Sequence, residues 1–193
     1  MRTLKLIEHI SLDGVMQSSG EDHFPYENWT APYRTPTGAA LVLAEHGDHF
    51  DLLLGRRTYD MWSGYWPKVS QSPMADRLNA ATKYVVTHRP ESLEWGPFES
   101  VGPDPVEGIR RIKATDGPPL VLSGSSTLTS AVLEHGLADE LLLLIYPVLL
   151  GTGKRLFANG TPARAFALEK TQALPTGILV NSYKAVGPLK KQG

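Results

Sequence analysis

The stretch Leu120-Val-Leu-Ser-Gly-Ser-Ser-Thr-Leu-Thr-Ser-Ala-Val-Leu-Glu-His-Gly136 decides the fold, because it has the pattern of a strand, a turn and a helix in immediate succession. Its first three residues form the short apolar run of a strand buried in a parallel sheet. The small residues that follow allow a sharp turn, Ser125 or Ser126 can cap the helix, and Gly136 marks its end. Free N–H groups at the helix N-terminus would bind an anion, although an ordinary turn between strand and helix explains the pattern equally well.

Strand-like and helix-like segments alternate along the rest of the chain, which predicts one α/β domain. Strands are predicted at residues 4–12, 51–55, 83–87, 98–101, 120–122 and 140–150, and helices at 37–46, 56–62, 72–81 and from 104 onwards. The helix at 37–46 is rich in Ala, Leu and Val and is expected to be buried. Two alternating runs, 166–173 and 178–186, predict a C-terminal antiparallel hairpin. The expected fold is a three-layer α/β/α sandwich with a mixed, mostly parallel central sheet over residues 1–187, followed by a polar tail at 188–193.

Composition excludes several classes of function. A formal net charge of -1 over 193 residues gives no general attraction to nucleic acid or to an anionic membrane surface. The absence of cysteine excludes disulfides, thiolate metal ligands and cysteine nucleophiles, and the histidines show no zinc-binding spacing, so no metal is expected. The N-terminus has no signal-peptide pattern, and the longest apolar run, 141–150, is too short to span a bilayer. We therefore expect a cytoplasmic protein without membrane or nucleic-acid partners.

Three predicted strands end in residues that suit phosphate groups: Gly55-Arg56-Arg57-Thr58, Thr87-His88-Arg89 and Ser123-Gly124-Ser125-Ser126. Arginine guanidinium groups bind phosphate oxygens in pairs and stay charged at every relevant pH. Because parallel strands end at one edge of a sheet, the three segments are expected to meet there. Their combination indicates a ligand with several phosphates, such as a dinucleotide. Ion pairs of the arginines with Asp60 or Asp76 are the alternative.

The segment 17–35 shows no helical or strand periodicity. A structureless segment of this length in a compact domain is usually a functional loop. Its aromatic residues can either line a pocket or anchor the loop on the domain. They are Phe24, Tyr26, Trp29 and Tyr33.

Four motifs in this order resemble the dihydrofolate reductase superfamily: Ser-Leu-Asp-Gly at 11–14, Leu-Leu-Gly-Arg-Arg-Thr-Tyr at 53–59, Val-Val-Thr-His-Arg at 85–89, and Ser-Gly-Ser with its helix from 123. The resemblance is greatest to the reductase domain of the bacterial bifunctional riboflavin-biosynthesis deaminase/reductase. Its longest part runs from residue 124 to 157 and includes Tyr-Pro-Val-Leu-Leu-Gly-Thr-Gly-Lys-Arg. The resemblance implies the same fold, NADPH as cofactor, hydride transfer to a small-molecule substrate and, as is common in that family, a homodimer.

The resemblance also implies that NADPH lies across the edge where the three strands end. Arg56 would meet the adenosine 2′-phosphate, and residues 57–58 would approach the pyrophosphate. Residues 87–89 would flank the adenine ribose, whereas residues 124–125 would hold the pyrophosphate and the nicotinamide side. Ser123 stands where many relatives have a glycine, which makes this turn the place to look for an altered cofactor fit.

Residues that contact the substrate have weaker signals in the sequence. Asp13, at the end of the first strand, is a candidate for catalysis through a substrate contact, and a turn-forming role explains it equally well. Trp62 and Trp66 can wall a substrate pocket, although packing between helix and sheet is an alternative use of Trp62. A phosphate on the substrate would need cations, and the candidates are Lys154 and Arg155.

The resulting hypothesis is an NADPH-dependent reductase of a small heterocycle, most like 5-amino-6-(5-phosphoribosylamino)uracil reductase of riboflavin biosynthesis. Two alternatives stay open. A dihydrofolate reductase-type pterin reductase would need a buried carboxylate against the pterin. A non-catalytic NADP-binding module would bind the cofactor without turnover.

Overall fold

The computed structural model describes residues 1–157 and 159–190 of the chain. This part contains eight strands and five α-helices. The strands are β1 (Leu4–Ile10), β2 (Asp51–Gly55), β3 (Lys83–Val86), β4 (Phe98–Ser100), β5 (Leu120–Leu122), β6 (Glu140–Ile145), β7 (Arg164–Ala173) and β8 (Leu179–Pro188). The helices are α1 (Pro36–His46), α2 (Arg56–Ser63), α3 (Pro73–Ala80), α4 (Pro105–Ala114) and α5 (Ser126–Glu134).

All eight strands form one sheet, in the order β4-β3-β2-β5-β1-β6-β8-β7. The first six strands in this order pair in parallel, and β8 runs antiparallel to both β6 and β7. The prediction of a mixed, mostly parallel sheet with a C-terminal antiparallel hairpin is therefore confirmed. The carboxyl ends of the six parallel strands consequently lie at one edge of the sheet.

Two hydrophobic clusters, one on each face of the sheet, complete the three layers. On β1, the side chains of Leu4 and Leu6 join α4 and α5 in one cluster, and Ile7 joins α1 and α3 in the other. Successive side chains of a strand point to opposite faces. Glu8 therefore shares the face of α5, and His9 shares the face of α1.

Some predicted boundaries differ from the structure. The helix at 37–46 was expected to be buried, but none of the residues of α1 is fully buried, because one side of it borders the cavity described below. β6 ends at Ile145 and not near residue 150, because Pro147 has no N–H with which to continue the ladder. The predicted tail begins within β8, which extends to Pro188, and residues 191–193 lie outside the described residues. Among the described residues, no helix has the length and apolar character needed to cross a membrane.

A buried ion pair stabilises the edge of the sheet at which the parallel strands begin, opposite their carboxyl ends. The guanidinium group of Arg2 contacts the carboxylate of Asp51 at the start of β2, and the two side chains are 2% and 11% exposed. Arg2 Nε donates to the Pro118 carbonyl at 2.7 Å, and Thr82 N donates to Asp51 Oδ1 at 3.0 Å. Each buried charge is therefore compensated by an opposite charge and by hydrogen bonds.

Candidate functional site

A cavity of about 1030 Å³ opens at the carboxyl edge of the sheet, where the sequence predicts the ligand site. Its lining comes mainly from β1, the segment 17–35, α1, α2, the turn before α5 and the residue after β6. Small-molecule sites span roughly 300–1,000 Å³. The cavity slightly exceeds this range, so it suits a cofactor together with a substrate.

The turn 123–126 forms one wall of the cavity. Gly124 and Ser125 both have left-handed backbone angles, with φ of 72° and 63°. Ser125 occupies the N-cap position of α5 without a side-chain hydrogen bond, so the predicted serine cap is wrong. Capping requires an extended backbone at that position, which the left-handed serine does not have. Among the described residues, no side chain caps the first amides of α5.

The N-terminus of α2 faces this turn at very close range. Gly55 is the N-cap of α2 and also provides no side-chain cap. A Cβ at Gly55 would overlap Ser125 Oγ and lie 3.0 Å from the Ser125 Cβ, and a Cβ at Gly124 would lie 3.5 Å from Thr58 Oγ1. Two helix N-termini with uncapped amides thus converge on the cavity, an arrangement that favours an anionic ligand.

Arg56, the first residue of α2, is held at the rim of the cavity by several partners. Its Nε donates to both carboxylate oxygens of Asp60 at 2.8 and 3.0 Å. The ion pair with Asp60, which is the alternative role predicted for Arg56 from the sequence, is therefore present. Its Nη1 donates to Ser92 Oγ at 2.6 Å, to the Arg89 carbonyl at 3.1 Å and to Thr87 Oγ1 at 3.4 Å. These contacts fix the position of the guanidinium group.

Thr87, His88 and Arg89 lie beside the cavity and are not among the described residues that line it. Thr87 Oγ1 accepts a hydrogen bond from Arg89 N at 3.0 Å, which tightens the chain after β3. The side chains of His88 and Arg89 are exposed. This strand end is joined to the cavity through its contacts with Arg56.

Two further cations of the rim, Arg57 and Lys154, are paired with acids of the segment 17–35. Arg57 Nη1 donates to Glu21 Oε2 at 3.2 Å. Lys154 Nζ lies 2.7 Å from Asp22 Oδ2 and 3.8 Å from Glu21 Oε2. The Arg57 side chain is 73% exposed, so its ion pair is screened by water and can be exchanged for a contact with phosphate.

Asp13 and Arg155, the other predicted substrate contacts, hold two loops together and are not among the described residues that line the cavity. Asp13 Oδ1 accepts from Ser11 Oγ at 2.6 Å and from Leu150 N at 3.2 Å, and its Oδ2 accepts from Gly151 N at 2.9 Å. Arg155 donates to the Asp13 main-chain carbonyl. The hydrogen bond from Ser11 lowers the pKa of Asp13 to about 2, so this carboxylate carries no proton near neutral pH. The geometry favours the turn-forming role over catalysis.

On the α1 side of the sheet, the cavity is aromatic and contains a pair that the sequence analysis missed. His9 Nδ1 and Tyr146 Oη are 2.7 Å apart, at the ends of β1 and β6. Trp29 and Tyr33, two of the four aromatic residues of the segment 17–35, meet the Tyr146 ring edge-on at 5.1 and 5.6 Å and line the cavity. Burial lowers the pKa of His9 to about 4 and raises the pKa of Tyr146 to about 12, so both side chains are uncharged at neutral pH.

This aromatic wall continues with Trp62 near the end of α2 and with Tyr65 and Trp66 just after it. The Trp66 ring stands nearly perpendicular to Trp62 at 6.0 Å and to Tyr65 at 5.0 Å. The structure thus brings both predicted tryptophans to the cavity. Trp62 also packs against the hydrophobic core, so pocket lining and core packing are combined in one side chain.

Glu8 is the other residue that the sequence analysis missed. It lies on β1 beneath the turn 123–126, borders the cavity and is 2% exposed. Gly124 N donates to its Oε2 at 3.2 Å, and Thr129 Oγ1 is 3.1 Å from its Oε1. Burial raises the pKa of Glu8 to about 8, so the carboxyl holds a proton at neutral pH. The one sequence signal was that Glu8 comes two residues after Leu6 on the predicted strand, so that both side chains face the same buried side of the sheet.

The sheet order and a cavity at the carboxyl edge define a class of protein, the α/β proteins with the dihydrofolate reductase fold. Residues 2–180 match the family described as RibD C-terminal domain. The chain belongs to this family.

Solved structures share the fold. A protein described as a riboflavin biosynthesis protein, from Shewanella sp. PV-4, has a TM-score of 0.68 and 19% identity, with 96% of this chain and 99% of that chain covered. Dihydrofolate reductase from Enterococcus faecalis, in complex with NADP(H), has a TM-score of 0.62 and 16% identity, with 95% and 96% covered. The deaminase/5-amino-6-(5-phosphoribosylamino)uracil reductase of Thermotoga maritima has a TM-score of 0.62 and 13% identity, with 95% of this chain but 56% of that chain covered.

Among curated proteins, the uncharacterized protein YyaP of Bacillus subtilis (strain 168) is 26% identical over 137 residues, which is 68% of this chain and 72% of that protein. Family membership and the reductases among the structural neighbours together support a reductase of this family.

Proposed function

We propose that this protein is an NADPH-dependent reductase of a small heterocyclic compound, most like 5-amino-6-(5-phosphoribosylamino)uracil reductase. One observation carries the proposal. A single cavity joins two uncapped helix N-termini, where phosphates would bind, to the uncharged pair of His9 and Tyr146, where a C=N or C=O group of the substrate would be reduced. The family and the NADP(H) complex of the E. faecalis neighbour support this reading.

The residues around the two helix N-termini fit a nicotinamide dinucleotide. Amides of the turn 123–126 and of the first turn of α2 would hold the pyrophosphate. The absence of side chains at Gly55 and Gly124 lets the two helix N-termini approach each other closely. Arg56, fixed at the rim by its contact with Ser92, would meet the 2′-phosphate. NADPH would supply the hydride, and the protein would orient the two rings and exclude water.

Tyr146 is the group best placed to hold the proton that the C=N or C=O group of the substrate takes up when it receives the hydride. A neutral imidazole can donate through Nδ1 of His9 to the Tyr146 oxygen at 2.7 Å. In that arrangement the hydroxyl hydrogen of Tyr146 is free to point into the cavity. Trp29 and Tyr33 hold the ring in place from two sides. The pair would thus orient the substrate and provide a proton at Tyr146 Oη.

The charges around this pair favour an aminouracil-type ring over a protonated pterin. Among the described residues that line the cavity, the acids are Glu8, which lies on the other face of the sheet, and Glu21, which is paired with two cations. The groups that act electrostatically on the pKa of His9 are His46 and Arg34, and both lower it. A pterin reductase would need a carboxylate at this end of the cavity.

Titration of the purified protein with NADPH and NADH, followed by oxidation assays, tests the proposal. NADPH should bind and should be oxidised faster with a phosphoribosylaminouracil than with dihydrofolate. Failure to bind either cofactor would contradict the proposal. Binding without oxidation across aminouracils and pterins would favour the non-catalytic NADP-binding module.

Arg56→Ala should weaken the binding of NADPH far more than the binding of NADH, because NADH has no 2′-phosphate. A lost charge-assisted contact costs roughly 1.5–3 kcal/mol, which is about ten- to a hundredfold in affinity. Arg155→Ala is the matched control, since Arg155 is not among the described residues lining the cavity, and it should leave both affinities unchanged. Equal losses for both cofactors after Arg56→Ala would refute the 2′-phosphate role.

Gly55→Ala should weaken NADPH binding about tenfold, because the new methyl group would collide with Ser125 and push the turn out of place. Overpacking of a fitted contact typically costs about 1–3 kcal/mol. A second substitution, Ser125→Gly, removes the colliding side chain and should restore most of the affinity. Fluorescence titration of the single and double variants measures both effects. Wild-type affinity in Gly55→Ala would show that the ligand does not depend on this close approach.

A further inference from the structure

Glu8 has no part in the proposed function, yet its carboxyl lies directly beneath the turn that would hold the pyrophosphate. Gly124 N points inward to Glu8 Oε2 at 3.2 Å. Thr129 Oγ1 is 3.1 Å from both Glu8 Oε1 and the Gly124 carbonyl oxygen. The single hydroxyl hydrogen of Thr129 cannot serve both oxygens. It can go to the Gly124 carbonyl when a protonated Glu8 donates to Thr129, and to Glu8 when the carboxylate is ionised.

Gly124 N and Thr129 Oγ1 can donate hydrogen bonds to an ionised Glu8, but among the described residues the surrounding elements place no positive charge beside it. Within residues 1–157 and 159–190, Glu8 forms no ion pair, and burial is the main influence on its pKa. β5 carries apolar residues alone, β6 places Leu143 opposite Glu8, and α5 presents Thr129. The titratable groups on these elements are Glu140 at the start of β6 and Glu134 at the end of α5, both at the ends remote from the turn.

We propose that Glu8 couples the binding of the cofactor's diphosphate to the uptake of a proton, so that the turn 123–126 accepts the diphosphate when the Glu8 carboxyl is neutral. This inference rests on the proposed cofactor site. An ionised Glu8 would engage an amide of the turn and place a negative charge below the phosphates, where little water is present to screen the repulsion. A neutral Glu8 keeps its contact with Thr129 and removes that repulsion. Glu8 is thus a positioning residue for the turn.

The pH dependence of NADPH affinity tests this coupling. Between about pH 7 and 9.5 the 2′-phosphate is already ionised and the arginines stay charged. In the upper part of this range, the wild-type dissociation constant should rise nearly tenfold per pH unit. At about pH 9, where the free protein has lost the Glu8 proton, calorimetry in buffers of different ionisation enthalpy should show about one proton taken up per NADPH. Glu8→Gln, which mimics the neutral carboxyl, should show neither effect, and Glu134→Gln, exposed on α5, should behave like the wild type.

The outcomes separate this coupling from the cofactor site itself. NADPH binding with no slope in the wild type, or with an unchanged slope in Glu8→Gln, would overturn the coupling and leave the cofactor proposal standing. Absence of NADPH binding at every pH would overturn both. If Glu8→Gln does not fold, infrared spectroscopy of the wild type decides. The carbonyl band of a neutral buried carboxyl should persist to higher pH with NADPH than without it, and an unshifted band would overturn the coupling.

Discussion

Replacing Glu8 by glutamine is expected to raise the free energy of unfolding by roughly 3–5 kcal/mol at about pH 9 and to change it little at about pH 4. Burial raises the pKa of Glu8 from 4.5 to about 8. Between these values the folded protein holds a proton that the unfolded chain has lost, so the stability of the wild type falls as the pH rises through this range. Glutamine has no proton to lose, and this part of the pH dependence should disappear.

Urea denaturation of the wild type and of Glu8→Gln at a series of pH values measures this difference. Comparing the two proteins at each pH cancels the contributions of the other titrating groups. Glu134→Gln should show no pH-dependent difference, because that side chain is exposed. A stability difference for Glu8→Gln that is constant from acid to alkaline pH would mean that the folded protein does not raise the pKa of Glu8.

Asp51→Ala is expected to lower the free energy of unfolding by about 3–5 kcal/mol. The substitution leaves the guanidinium group of Arg2, 2% exposed, without its counter-ion, and Thr82 N without its acceptor. Asp48→Ala is the matched control. The Asp48 carboxylate pairs with Arg77 at 2.7 Å but is 81% exposed, and an exposed pair contributes about 0–1 kcal/mol.

Denaturant titration measures the decrease in the free energy of unfolding for both variants. NADPH titration of folded Asp51→Ala gives a second readout. Asp51 lies at the edge of the sheet opposite the cavity, so the proposed binding of NADPH should be unchanged in Asp51→Ala where it is folded. Similar stability losses in Asp51→Ala and Asp48→Ala would show that the buried pair contributes no more than the surface pair.

Much of the fold could be predicted because local signals agree with one another. The stretch 120–136 forms β5 and α5, and Gly136 ends the helix with a φ of 62°. The errors concern packing that no local pattern records. The Ala-, Leu- and Val-rich sequence of α1 suits a buried helix, but a cavity takes the place of the neighbour that would cover it. The homodimer and the cytoplasmic location stay predictions.

The candidate site was predictable where its residues have a local signature. The glycines and arginines at strand ends belong to this group, and Gly55, Arg56 and Gly124 all border the cavity. The polar residues of β1 were missed, because both faces of a central strand are covered and Glu8 and His9 look like interruptions of an apolar run. An aspartate before a glycine has the same pattern whether it forms a turn or contacts a substrate.

The five helices of the described residues differ in how they begin. α1, α3 and α4 start with side-chain caps from Thr35, Ser72 and Asp104, whereas α2 and α5 start without one. The absence of a side-chain cap lowers the stability of a helix by a few tenths to about 2 kcal/mol. A bound anion would act as the cap for both helices at once. The lifetime of this protein in a cell would then follow the supply of its ligand, since the empty form is the one more open to unfolding and proteolysis.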